Sequence, residues 1–244
     1  MAALTRPYWI EALFERRDGW DEAAYPFNLP VVRSLHRLAF HPNVTFIVGE
    51  NGSGKSTLIE ALAVAWGFNA EGGSTGMQFE TRRSHSPMHR FIRPVRGTAR
   101  ARDGYFLRAE SFFNAASYIE ESGVSGYGSR KLHEQSHGES FFALFEHRFR
   151  GNGLYILDEP EAALSPSRQL SFLARMHQLV NAQSQFIIAT HSPIILGYPD
   201  AWIYQASPHG LDRVPYEDTE HYQVTRGFLT RPKTYLDVLL TDDD

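Results

Sequence analysis

Apolar residues along this chain gather into short, nearly continuous runs separated by polar and Gly-rich stretches. Three of them, Val44 to Val48, Gly153 to Leu157 and Gln185 to Thr190, show no regular polar face. Such runs predict strands buried on both sides, as in the middle of a parallel sheet. Tyr8 to Phe14 predicts a further strand, and Leu35 to Phe40 a weaker one leading into Val44. Tyr105 to Ala109 restores strand character after an irregular, basic stretch from Met77 to Gly104. Near the tail, Ala201 to Gln205 and Leu211 to Tyr216 predict two short strands.

Helical spacing falls between these runs. Leu58 to Trp66 predicts a helix soon after the first central strand. Pro166 to Val180 predicts another, with Leu170, Leu173, Met176, Leu179 and Val180 on its apolar face. Ser111 to Glu121 and Phe141 to Phe149 read as helices around a Gly/Ser/His loop, Gly123 to Gly138. Gly67 to Gly76 reads as a loop of small residues. Strands alternating with helices predict an α/β fold with a mainly parallel sheet. The expected organisation is a single domain over residues 1–244, with a small helical or irregular subdomain inserted at roughly 67–151.

Composition narrows the classes of function. A length of 244 residues suffices for one α/β core. The absence of cysteine excludes disulfides and thiolate chemistry and suits a reducing cytoplasm. The longest apolar stretch, Phe186 to Leu196, is broken by Thr190, His191, Ser192 and Pro193, so no membrane insertion is expected. The first residues show no signal-peptide core. A net charge of −4 gives no whole-molecule argument for nucleic acid.

The chemistry begins between the first central strand and its helix, at Gly49-Glu50-Asn51-Gly52-Ser53-Gly54-Lys55-Ser56-Thr57. This is a G-x-x-x-x-G-K-[ST] loop. Closely spaced glycines let backbone N–H groups turn inward around a phosphate, and the following helix presents its positive end there. Lys55 is placed to reach the outer phosphates, and the Ser56 hydroxyl to sit on magnesium. Asp158 and Glu159 close the strand at Gly153 to Leu157. In a nucleotide hydrolase the first acid holds the metal and the second polarises the attacking water.

Three further segments carry a resemblance. Leu157-Asp158-Glu159-Pro160-Glu161-Ala162-Ala163-Leu164-Ser165-Pro166 resembles the Walker B and D-loop run of ABC-type ATPases. Thr190-His191-Ser192-Pro193 resembles their switch histidine, and Gln135-Ser136-His137-Gly138-Glu139-Ser140 a variant of their signature motif. Order and spacing match from about Val44 to Leu196, and the likeness is greatest to the compact, stand-alone ATPases with Asp-Glu-Pro-Glu-x-x-Leu-Ser-Pro. His137 and Glu139 depart from the transporter form of the signature.

The resemblance implies hydrolysis of ATP to ADP and phosphate with Mg2+. It makes Glu159 the general base or water orienter, His191 the reader of the γ-phosphate, and Ser56 and Asp158 the metal ligands. The signature, through Ser136, Gly138 and Glu139, would complete the site of a second copy, giving a head-to-tail homodimer on ATP binding. The family's strand-terminal Gln has Glu110 as its positional match here, with metal or water as ligand, and Gln78 as the alternative. Tyr25 sits where the adenine-stacking aromatic is expected, although Tyr25-Pro26-Phe27 also reads as a packed turn.

Other features leave alternatives open. Arg82, Arg83, Arg90, Arg93, Arg96, Arg100, Arg102 and Arg108 share their window with Asp103 alone among acids. They read as a phosphate-backbone surface, a solvated arm, or a surface for an acidic partner. His85, His89, His133 and His221 show no metal-ligand spacing, so no zinc is expected. Three roles compete: a stand-alone ATPase coupled to an unknown partner, a compact DNA-associated repair or defence ATPase, and the nucleotide-binding subunit of a transporter. No heptads lie between the phosphate loop and the signature, which excludes a coiled-coil arm.

Overall fold

The computed structural model describes residues 7–74, 86–108, 142, 145–162 and 164–241. In chain order come β1 (Trp9–Phe14), the short helix α1 (Pro30–Arg33), β2 (Arg37–Ala39), β3 (Val44–Val48), α2 (Lys55–Trp66) and β4 (Gly73–Ser74). A 3-10 turn at Pro87–Phe91 leads into β5 (Ile92–Arg96), β6 (Asp103–Arg108), β7 (Gly153–Asp158) and α3 (Pro166–Asn181). Then follow β8 (Gln185–Ala189), α4 (Pro193–Leu196), β9 (Trp202–Ser207), β10 (Gly210–Val214), α5 (Glu220–Thr230) and α6 (Pro232–Leu239).

The apolar runs form the middle of the larger sheet, whose described strands are ordered β10-β9-β3-β8-β7-β6-β4. From β9 to β6 neighbouring strands run parallel, and β10 and β4 close the two edges antiparallel. Alternate side chains leave opposite faces of a strand. Accordingly Phe46, Tyr155, Leu157, Phe186 and Ile188 pack in one core with Phe172, Met176 and Leu179 of α3. Ile47, Leu154, Ile156 and Ile187 pack in a second core with Leu58, Ile59 and Leu62 of α2. Both faces are covered, which is why these strands lack a polar face.

A smaller antiparallel sheet, β2-β1-β5, adds Trp9, Ala12 and Phe14 to the α2 core. Buried Gln185 joins it to the larger sheet. Its Oε1 accepts from Trp9 N at 2.9 Å, and its Nε2 donates to the carbonyls of Trp9 and His41 at 2.8 and 3.0 Å. Both N–H groups of that amide and its carbonyl oxygen are engaged, so a buried glutamine is tolerated there.

Several expectations change. The stretch read as irregular contains β5, which pairs with β1 from Trp9↔Arg96 to Phe14↔Ile92. Pro94 and outward arginines hide it, and its edge position is what lets a strand carry a proline. On α3, Leu170 is 60% exposed while Phe172 is fully buried. Positions 172, 176, 179 and 180 follow the helical repeat, whereas residue 170 lies about 180° around the helix from residue 179. Residues 142 and 145–147 are helical, within the segment expected to be so.

After β10 the chain forms a helical hairpin, α5 and α6, in which no residue is buried. Leu229, Val238, Leu239 and Leu240 are each about 70% exposed. No helix among the described residues is long and apolar enough to cross a membrane. The expectations for Ser111–Glu121 and for the loop at residues 123–138 lie outside the described residues.

Candidate functional site

Because β3, β8 and β7 are adjacent and parallel, their C-terminal ends open on one edge of the sheet. β3 delivers the loop at residues 49–54 and α2, β7 delivers Asp158 and Glu159, and β8 delivers Thr190 and His191. This edge is where parallel α/β sheets bind ligands.

The loop has the geometry a phosphate cradle needs. Gly54 has φ 95 and caps α2 without any side chain on the helix's N–H groups. A Cβ at Gly54 would lie 2.9 Å from Leu29 Cδ1, and one at Gly49 only 2.7 Å from Ala206 Cβ. Close approach to the Ala206 main chain calls for glycine at Gly49, and the left-handed backbone angle calls for it at Gly54. Glu50, Asn51 and Gly52 at the crest are exposed, whereas the Lys55 side chain beneath is buried. Lys55 Nζ donates to the carbonyls of Gly49 and Glu50 at 2.8 and 2.7 Å. Burial lowers its pKa, against the charges of Glu159 and Asp158, which raise it.

Facing the loop, the Ser56 hydroxyl donates to Asp158 Oδ1 at 3.2 Å. These are two hard oxygen donors side by side. Among the described residues no group of three His, Asp or Glu side chains gathers to hold a metal unaided. Two protein oxygens completed by phosphates and water is the usual demand of Mg2+, so the donor set fits that ion. Arg108 bonds Glu60 at 2.6 Å, and its Nε lies 3.7 Å from Asp158 Oδ2.

Glu159 turns out of β7 with a left-handed φ of 53. Its backbone N–H donates to Ala189 O at 2.9 Å, tying the turn to β8. Its Oε1 lies 3.5 Å from His191 Nε2. The His191 backbone N–H donates to Glu161 Oε1 at 2.5 Å, and Ser192 Oγ donates to Gln169 Oε1 of α3, also at 2.5 Å. Burial raises the pKa of the Glu161 carboxyl. On its far side, His191 Nδ1 meets His221 Nε2 of α5 at 3.1 Å. Burial lowers the pKa of His191, and Lys55 lowers it further. Burial likewise lowers that of His221.

Tyr25 is 64% exposed, and its hydroxyl shares a 2.9 Å hydrogen bond with Thr57 Oγ1. Phe27, not Tyr25, is the packed member of that turn. Beside them a cavity of about 340 Å³ is lined by Tyr25, Ser56, Thr57, Glu60, Ser86 and Arg108. Larger cavities, of about 500 and 630 Å³, lie at Gly197–Tyr216 and Trp66–Gly104 and contain none of these groups.

Thus Lys55, Ser56, Asp158, Glu159 and His191 come together at one edge. Glu110, Gln78, Ser136, Gly138 and Glu139 lie outside the described residues. Sequence reasoning assigned no role to Glu161 or Gln169 and left His221 among scattered histidines. Only Glu161, inside the Asp158–Pro166 run, carried a local signal. The arginine window also changes. Arg93 pairs with Glu15, Arg96 lies over the Trp66 ring, and Arg108 faces Glu60 and Asp158. The acids engaging Arg93 and Arg108 come from the residue after β1, from α2 and from β7, distant in sequence.

Fold and loop together set a glycine-rich G-x-x-x-x-G-K-S loop and the start of α2 at the ligand-binding edge of a parallel α/β sheet. The sequence model of the AAA domain matches residues 28–139, a stretch that starts just before α1 and includes the loop at residues 49–57. The sequence has no match among curated proteins. Among solved structures it is similar to cbiO1 from Clostridium perfringens, part of the ABC transporter complex cbiONQ. That likeness is 15% identical, covers 93% of this chain and 97% of that one, and has a TM-score of 0.48. It is also similar to the SMC head domain from Thermotoga maritima, at 20% identity over 73% of this chain and 92% of that chain, with a TM-score of 0.41.

Proposed function

We propose that the chain hydrolyses ATP with Mg2+ and that binding of ATP joins two copies head to tail. The observation that carries this reading is the convergence of Lys55, the Ser56–Asp158 pair and the Glu159–His191 pair at the ends of β3, β7 and β8. In it, residues Gly49 to Thr57 wrap the phosphates with backbone N–H groups and the start of α2. Lys55 exchanges its loop carbonyls for phosphate oxygens. Ser56 and Asp158 hold Mg2+, which when bound neutralises charge on the phosphates. Glu159 orients and deprotonates the attacking water, and His191 donates to the γ-phosphate from Nε2. The exposed Tyr25 ring, held over Thr57, is the platform for the base.

In the dimer, Ser136, Gly138 and Glu139 of one copy close the site of the other, and Glu110 adds a ligand to metal or water. The site is then complete only between two chains. What the dimer acts on is an unknown partner protein.

The Glu159→Gln substitution tests both parts at once. It keeps the shape of the side chain and removes the base, so turnover should fall on the order of 100-fold or more. Light scattering with ATP and Mg2+ should then show a stable dimer. A mass that stays monomeric would remove the dimer from this reading.

A further inference from the structure

The contact between the two histidines assigns a job to a residue that lies outside the nucleotide machinery. We infer that His221, from α5, is a positioning residue: its Nε2–H donates to His191 Nδ1 and so holds the His191 proton on Nε2, facing Glu159. The inference rests on the reading of His191 as donor to the γ-phosphate.

Burial lowers the pKa of both rings, so near neutral pH each is a neutral imidazole with one N–H and one acceptor nitrogen. The 3.1 Å contact between His191 Nδ1 and His221 Nε2 therefore holds one proton, not two. If His191 supplied it, His191 Nε2 would be a bare lone pair opposite Glu159 Oε1 at 3.5 Å, acceptor facing acceptor. It would also meet any phosphate oxygen as acceptor to acceptor. If His221 supplies it, both conflicts vanish. His191 Nε2–H then lies 3.5 Å from a carboxylate oxygen, and its Nδ1 accepts.

The rest of α5 is built to keep His221 there. Thr219 caps the helix, its Oγ1 accepting from Tyr222 N at 3.3 Å, and the Glu220 backbone N–H donates to Gln205 Oε1 at 3.1 Å. The Tyr222 ring packs 4.7 Å from Tyr216. His221 Nδ1 has no hydrogen-bond partner among the described residues, so nothing there competes for the ring's orientation. An imidazole that fixes the tautomer of a working histidine is a role usually filled by a carboxylate or a carbonyl. Here a second neutral imidazole selects the opposite tautomer, with the proton on the outer nitrogen instead of the inner one.

Histidine-labelled nitrogen NMR on the nucleotide-free wild-type chain decides the point without any variant. The expected result is a scalar coupling across the hydrogen bond between His221 Nε2 and His191 Nδ1, with His191 Nδ1 resonating as an acceptor nitrogen. Absence of that coupling, or a protonated His191 Nδ1, overturns the inference. In turnover, His221→Phe should lower kcat about 10-fold with little change in KM for ATP. His221→Gln, which keeps an N–H near the same place, should recover most of it. Equal losses in both variants, or none in either, would also overturn it. His191→Ala separates the two readings: normal turnover in that variant removes the γ-phosphate role of His191 while leaving the coupling to decide the tautomer.

Discussion

Two helices reach the same turn after β8, and they are held in opposite ways. α3 touches it through Gln169 on Ser192, and α5 touches it through His221 on His191. Behind Gln169, α3 buries Phe172, Met176, Leu179 and Val180 in the core of the large sheet. Behind His221, α5 buries nothing. Among the described residues its attachment to the sheet domain includes a cap, backbone and side-chain hydrogen bonds and the ring contacts His221–His191 and Tyr222–Tyr216. The comparison teaches that closeness to the site and depth in the fold are separate properties. α3 should therefore open only with the whole domain, whereas α5 should open at lower cost.

The largest effect should come from the buried side. Phe172→Ala empties a fully buried ring position stacked on Phe145 with ring centroids 4.4 Å apart. It should cost about 3–5 kcal/mol in urea unfolding, with the slope of the transition unchanged. A loss under about 1 kcal/mol would mean that α3 is no better anchored than α5.

Acid should act on the other side first. His41, His191 and His221 all have folded pKa values below the ordinary histidine value, in each case chiefly because burial disfavours the charged ring. Just below about pH 6.5 the unfolded chain takes up protons that the folded chain refuses. The stability these rings give is therefore complete above that pH and is lost as the pH falls through the window beneath it. Lys55 and Glu159 face His191, and Glu220, Glu50 and Lys55 face His221. Hydrogen exchange from pH 7.5 down to 5.5, corrected for intrinsic rates, should show α5 amides opening before those of α3. Equal behaviour of the two helices would contradict the comparison.

The smallest effect should fall on the hairpin's outer face. Leu229, 71% exposed, changed to Ser should move the unfolding free energy by no more than about 0.5 kcal/mol. A cost several times larger in a dilute sample would show that the hairpin's surface is covered in solution.

Much of the site was legible because its signals are local. The strand, loop and helix from Val44 to Trp66 are contiguous, and each demands its residue types through backbone angle, phosphate contact or burial. Asp158 and Glu159 were legible as the polar end of an apolar run. β5 was not, since its pairing with β1 joins residues some eighty positions apart and its arginines break the alternation. The facing of α3 was misjudged because strict threes drift about 60° per step against the helical repeat. His221 was illegible for a deeper reason. Its partner stands thirty residues away on another element, and no periodicity encodes a contact made by the end of one helix against the turn after a strand.

The backbone of Glu159 has one further consequence. With φ 53 it occupies a conformation that costs an ordinary side chain roughly 1–2 kcal/mol and a glycine almost nothing. For folding alone, glycine would be the better residue at that turn. The carboxylate is kept there against the preference of its own main chain. With Glu159 as the proposed base, drift toward a sturdier protein at this position would run straight through loss of activity, and a more heat-resistant variant found there should be an inactive one.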